Sequence, residues 1–231
     1  MSKYLLRLSA FVFLAAFVAC SKADTVPSAP EATINYGLMP GTGIMGTETV
    51  SGTEDEAYGV FSWTGGMAAV SEIHIETRGA IKNSYSNTVP QVIDLFAAWN
   101  NLGSIKVPEG TYDSIEFRIV FAPTATHEAL NMSGTFEKNN TVLPINVIIN
   151  EKVDLSFVKN TPTKLEANID YNAAGSMALT WLAKNVDEQK LWSAEKVNGT
   201  VVISKTVNAD LYAFIWQLLN QGVLKVDVDK L

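Results

Sequence analysis

One cysteine and two histidines are all that the 231 residues offer to thiol and imidazole chemistry. With Cys20 alone, no intramolecular disulfide can form, and the fold must be held by its core. His127-Glu128 opens like the HExxH helix of zinc proteases, but Asn131 stands where the second imidazole is needed, so one helical turn cannot present two ligands. No GxSxG is present either. Basic residues are also scarce, 17 Lys and Arg against 24 Asp and Glu, for a net charge of −7. Such a surface repels nucleic acid and anionic lipid. The acidic run Thr53-Glu54-Asp55-Glu56 lacks the alternating oxygen ligands and the glycine of a calcium loop and reads as a solvated turn. Gly41-Thr42-Gly43-Ile44-Met45-Gly46 matches GxGxxG, yet the β-prone, Gly-flanked Thr47–Ser51 follows it where a dinucleotide site needs a helix; a loop is the plainer reading.

What is present begins with an address. Lys3 and Arg7 precede Leu8–Ala19, an apolar run broken only by Ser9. At about a dozen residues it is too short to span a bilayer, which takes about 20, and it reads as an export signal. Phe17-Val18-Ala19-Cys20 resembles the lipobox of bacterial lipoproteins, with Phe17 where Leu is usual. The resemblance implies that Cys20 carries a diacylglycerol and its new amino terminus a further palmitate-type chain, enough acyl chains for stable anchoring. Ser21, where Asp would favour inner-membrane retention, implies the outer membrane, with the domain periplasmic or surface-facing. Residues 1–19 are thus expected as a signal peptide. Residues 20–31, small and twice broken by proline, are expected as a flexible tether.

Residues 32–231 are expected to form one domain, 47% of the whole chain being hydrophobic. Strands are anticipated at Ala57–Trp63 and Met67–Thr77, joined through Gly65-Gly66, and at Val92–Phe96 and Ser104–Val107. Ile115, Phe117, Ile119 and Phe121 alternate with Ser114, Glu116 and Arg118, marking a strand with one buried and one wet face. Ala129–Glu137 and Thr141–Ile149 read as a hairpin around Asn139-Asn140, with Pro144 pointing to an edge or a bulge. Val153, Leu155 and Phe157 alternate, as do Leu165, Ala167, Ile169 and Tyr171. Ser176–Lys184 fits a short helix or a strand. From about 178 the chain becomes an α/β extension: a strand at Gly199–Lys205, a helix at Asn208–Gln221 with Asn208 as N-cap and Gly222 as stop, and a closing strand at Val223–Val228. Together these predict a mainly β protein, an antiparallel β-sandwich of immunoglobulin or transthyretin-like kind, with the C-terminal helix packed on it.

The run IDLFAAWNNLGSIKVPEGTYDSIEFRI resembles a hallmark of a bacterial lipoprotein family, domain of unknown function 4382: an Asp-Leu strand (Asp94-Leu95-Phe96), a polar gap, a PxGxY turn (Pro108–Tyr112) and an alternating strand. Asp170-Tyr171-Asn172 is similar to that family's later corner. The resemblance covers about Ser62–Met177 and departs at Trp63-Thr64-Gly65-Gly66, where an Asp-Ala-Pro-like turn is usual. It implies a fold and an envelope location. It brings no catalytic residue and no cofactor.

The candidate sites are few. Trp99, Asn100 and Asn101 put a ring, read as exposed, beside two amides in a loop, a pattern suited to stacking on a sugar; a ring folded back as a lid is the plainer alternative. Glu72, His74 and Glu76, spaced by two, share one strand face and form a weak metal candidate against a plain solvated face. Asp24-Thr25-Val26 and Asp113-Ser114-Ile115 resemble an O-glycosylation acceptor, with a glycan expected at Thr25 only. Fimbrillin-like lipoproteins are cut after an Arg near the N-terminus, and none lies between Cys20 and Thr77, which argues against a pilus subunit. The expectation is a non-enzymatic envelope lipoprotein for binding, adhesion or assembly, with a glycan or protein as ligand. The alternative is a carbohydrate-binding or carboxylate-dependent glycoside-processing protein.

Overall fold

The computed structural model describes residues 29–40, 48–50, 59–79, 81–88, 90–177, 179, 185–220 and 224–231. The signal segment, Cys20, Thr25, the GxGxxG run, the acidic turn at 53–56, most of Ser176–Lys184 and Gly222 lie outside them. The protein is mainly β, 63% strand, with open sheets and few helices.

The strands are β1 (Glu31–Pro40), β2 (Glu48–Val50), β3 (Gly59–Gly79), β4 (Asn83–Asn87), β5 (Gln91–Asp94), β6 (Asn100–Pro108), β7 (Gly110–Phe121), β8 (Leu130–Lys138), β9 (Thr141–Ile149), β10 (Val153–Lys159), β11 (Thr163–Leu165), β12 (Asp170–Met177), β13 (Lys196–Val197), β14 (Thr200–Ile203) and β15 (Leu224–Lys230). Among the described residues the helices that can be followed are α1 (Glu188–Ser193) and α2 (Ala209–Asn220).

β3 organises the larger sheet. At 21 residues it merges the two strands expected to join through Gly65-Gly66 into one, with a register shift between Trp63 and Gly65. A side chain at Gly66 would fall 2.9 Å from the Phe96 ring, so this glycine serves close packing rather than reversal. Along one flank of β3, β8 pairs with Val60–Ala68 and β7 with Val70–Gly79, end to end. Along the other flank lie β2, β5 and β4. Beyond β7 comes β10; beyond β8 come β9, β14 and β13.

The smaller sheet has the order β15-β12-β1-β6. It meets the β10-β7-β3 half of the larger sheet in a sandwich-like arrangement. Tyr36 of β1 lies 6.2 Å, ring to ring, from Phe117 of β7, and Gly175 of β12 sits between Phe117 and Leu38, where a Cβ would be 2.9 Å from the ring. The β8-β9-β14 half carries helices instead. Phe136 meets Trp192 of α1 edge-on at 5.7 Å, and α2 buries Leu211, Ile215 and Leu218, spaced to fall on one helical face.

Two pairings are parallel, β1 with β12 and β9 with β14, so the sheets are mixed and not purely antiparallel. Parallel neighbours need long connections, and here they are supplied by β2–β11 between β1 and β12 and by the stretch holding β10–β12, α1 and β13 between β9 and β14. The last fifty residues are therefore woven in, since β14 belongs to the larger sheet and β15 to the smaller.

Other local expectations resolve on single residues. Asn139 (φ 52°) and Asn140 (φ 59°) form the two-residue hairpin turn. Pro144 lies just before Ile145–Val147, the only part of β9 that β14 reaches, so it sits on a locally free edge. The alternation over Leu165–Tyr171 is not one strand: Asn168, at φ 59°, turns the chain between β11 and β12, and its N–H donates to Glu31 O at 2.8 Å. Asn208 accepts the first helical bond from Tyr212 N at 3.0 Å, but its side chain is no N-cap. It adopts φ 54° and bonds Glu195 N, Glu195 O and Val202 O, tying the α2 approach to β14.

Candidate functional site

Trp99 lies in the loop between β5 and β6, whereas Asn100 and Asn101, expected beside it in a loop, open β6 itself and pair with Leu38 and Gly37 of β1. Asp94 starts that loop: its carboxylate accepts from Phe96 N at 2.9 Å, and its carbonyl accepts from Ala97 N at 3.1 Å. Asn100 closes the turn by donating Nδ2 to Asp94 O at 2.7 Å. Asn101 accepts Gly103 N on its Oδ1 at 3.0 Å. Each amide thus spends one end on the loop, leaving Asn100 Oδ1 and Asn101 Nδ2 outside these bonds. Trp99 is half-buried, with its six-membered ring on the backbone of Gly37; a Cβ on Gly37 would lie 2.7 Å from the ring and 2.3 Å from Asn100 O. The ring thus packs over β1 and is half-buried rather than exposed as expected.

The hallmark turn has a structural task. Tyr112, 1% exposed, donates its hydroxyl to Pro108 O at 2.7 Å, while Glu109 N donates to Pro30 O at 2.8 Å. The motif clasps the start of β1 to the β6–β7 corner. Tyr171 does similar work, accepting Glu166 N at 3.0 Å on its hydroxyl. Both are positions for packing and turn closure.

Glu72, His74 and Glu76 do share the outer face of β3. The carboxylates are occupied, however. Glu76 is held by Arg78 Nε at 2.6 Å and Lys82 Nζ at 3.2 Å, which lower its carboxyl below the ordinary range. Glu72 accepts from Ser86 at 3.4 Å, and His74 Nε2 is 3.5 Å from Ser84 Oγ and 4.0 Å from Glu76. Further along the same face Arg118 forms a two-pronged pair with Asp154, whose carboxyl is lowered by that guanidinium. Among the described residues, no three His, Cys, Asp or Glu side chains converge to hold a metal ion. This face is a charge-paired outer wall.

A feature without a sequence signal lies between the edges of β4 and β6, which no further described strand pairs. There the two sheets part around a cleft of about 340 Å³, floored by Ile75, Ile105 and Val107 and bordered by Thr77, Tyr85 and Lys106. Behind Tyr85, at 6.0 Å ring to ring, stands the buried Tyr36, its hydroxyl against Gly103. Burial above all, and then the neighbouring Tyr85, push Tyr36 up to about 12. β4, the sequence NSYSN, has no apolar alternation to announce it.

Compared with models of protein families, with curated proteins and with solved structures, the chain matches none.

Proposed function

We propose that this protein is a cell-envelope lipoprotein of non-enzymatic kind, which holds a binding or assembly domain off the outer membrane through acylated Cys20. The observation that carries this reading is the sole cysteine directly behind a short apolar run led by Lys3 and Arg7. The resemblance to the domain of unknown function 4382 points the same way, and an immunoglobulin or transthyretin-like class is the finer reading of its sandwich-like half.

The tether enters β1 at Glu31, beside the Pro108 corner, whereas Asn100 pairs with Leu38 at the far end of β1. Seven residues of strand separate the two, about 23 Å. On this reading the Trp99 loop points away from the bilayer.

Cys20→Ser tests the anchor. The variant should leave the membrane fraction and take up no radioactive palmitate; a variant that stays membrane-bound and labelled refutes the lipoprotein. Thr25 is proposed as a glycan acceptor in the tether, and an intact mass without hexose-sized increments would remove that part.

The second reading, a sugar-binding surface, rests on the half-buried ring of Trp99 beside Asn100 Oδ1 and Asn101 Nδ2, which among the described residues lie outside the loop's bonds. A glycan array with Ser21–Leu231, beside its Trp99→Ala form, decides it. Binding that falls ten- to hundred-fold on losing the ring, about 1–3 kcal/mol, supports stacking. No binding, with only a lower melting temperature, leaves Trp99 as a lid.

A further inference from the structure

Strand β6 is an edge whose exposed backbone can be assigned residue by residue. Thr33 N donates to Ile169 O, so Thr33 faces toward β12. By alternation its neighbours Ala32 and Ile34 face β6, where they stand opposite Val107 and Ile105. Ser104 and Lys106 therefore turn their N–H and C=O groups outward, toward the cleft. At one end of the outward row Gln91 Nε2 lies 3.5 Å from Asn101 O; at the other Pro108 has no N–H to offer, and its carbonyl accepts from the Tyr112 hydroxyl at 2.7 Å.

The opposite side of the sandwich-like half differs, because there the edges β10 and β15 lie against each other. On the β4–β6 side the edges are parted by the 340 Å³ cleft. Among the described residues Lys106 is the one charged residue lining it, and no carboxylate does. Lys106 also borders a shallower cleft with Glu31 and Asp170, yet among the described residues no ion pair joins it to either.

We propose that the free edge of β6 at Ser104–Lys106 takes up an extended, acidic segment of a partner polypeptide as an added strand. The four lining residues from Ser104 to Val107 offer about 13 Å, the length of four extended residues. Main-chain bonds to Ser104 and Lys106 supply register, as in other strand additions. Alternate side chains of the guest point inward over Ile105 and Val107, toward Tyr85. A carboxylate on the guest meets Lys106, which among the described residues forms no ion pair.

The test pans a phage-displayed library of linear octapeptides on the immobilised full chain. Expected are acidic peptides with alternating apolar residues, which slow amide exchange at Ser104 and Lys106, while Ile105 and Val107 are slow with or without peptide. Ser104→Pro removes one outward N–H and no bond to β1; it should abolish binding with the melting temperature little changed. Lys106→Glu should weaken the selected peptides at least ten-fold, and it carries the test if the proline variant does not fold. The proposal is overturned if no sequence is enriched over a blank support, if bound peptides leave Ser104 and Lys106 exchange unchanged, or if both variants bind as the parent does. Concentration-dependent dimerisation lost in Ser104→Pro would assign the edge to a second copy and overturn it too.

Discussion

The indole N–H of Trp63 donates to the carbonyl of Leu179 at 2.9 Å, a buried bond across 116 residues of sequence. It joins the first half of β3 to the segment that leads into the helices. Trp63→Phe keeps the ring contact with Phe61 but leaves that carbonyl unpaired inside the protein. The expected loss is about 1–3 kcal/mol, seen in urea as a lower midpoint with an unchanged slope. A midpoint equal to the parent's would show that water or another donor replaces the indole.

Gly37→Ala should cost stability because two neighbours stand in the way of its methyl group, the Trp99 ring and Asn100 O. A loss of about 1–3 kcal/mol is expected from overpacking. The double variant with Trp99→Ala removes the ring and leaves the carbonyl, so it should not regain the parent's melting temperature. Full recovery would place the strain on the ring alone.

At the β8–β9 turn, Asn140→Gly should be neutral or slightly stabilising, whereas Asn140→Ala should lose about 1–2 kcal/mol, because its φ of 59° is unfavourable for a residue with a plain Cβ. Thermal melts of the pair check the sign. Equal melting temperatures would mean the turn relaxes out of its left-handed form.

Asp154 links stability to pH through Arg118. Its carboxyl is lowered in the folded state, so the contribution is present above the ordinary carboxylate range near 4 and fades as pH falls through the lower, folded value. Both side chains are 37% exposed, and solvent limits the gain to about 1 kcal/mol at most. Asp154→Asn should thus be less stable than the parent at pH 7 and converge with it in strong acid. A gap that stays constant down to pH 2 would remove the charge from the explanation.

Strands whose inward residues are large and apolar were readable from periodicity alone. Ile115, Phe117 and Ile119 of β7 are fully buried or nearly so, as their alternation requires, and so are Val153, Leu155 and Phe157 of β10. β4 was not readable, because Asn83–Asn87 is held by pairing to β3 and buries little of its own. The continuity of β3 was hidden by Gly65-Gly66, which reads as a turn until the Phe96 ring is seen to lie there. Asn168 broke a pattern whose apolar spacing was otherwise regular. At the candidate sites, residue types pointed to the Trp99 loop, but which amide end was committed depends on backbone geometry. The cleft joins residues from β3, β4 and β6 and left no contiguous trace.

The first strand of the domain finds its parallel partner only in β12, and β12 is completed only by β15 at the end of the chain. A chain emerging N-terminus first must therefore hold β1 without that neighbour until residue 170 and later have appeared. Loop closure over such distances is slow relative to local hairpins such as β8–β9. Folding of this domain is thus expected to wait on its last strand, and a chain shortened before Leu224 would leave β12 as an uncovered edge, open to pairing with whatever strand it meets first.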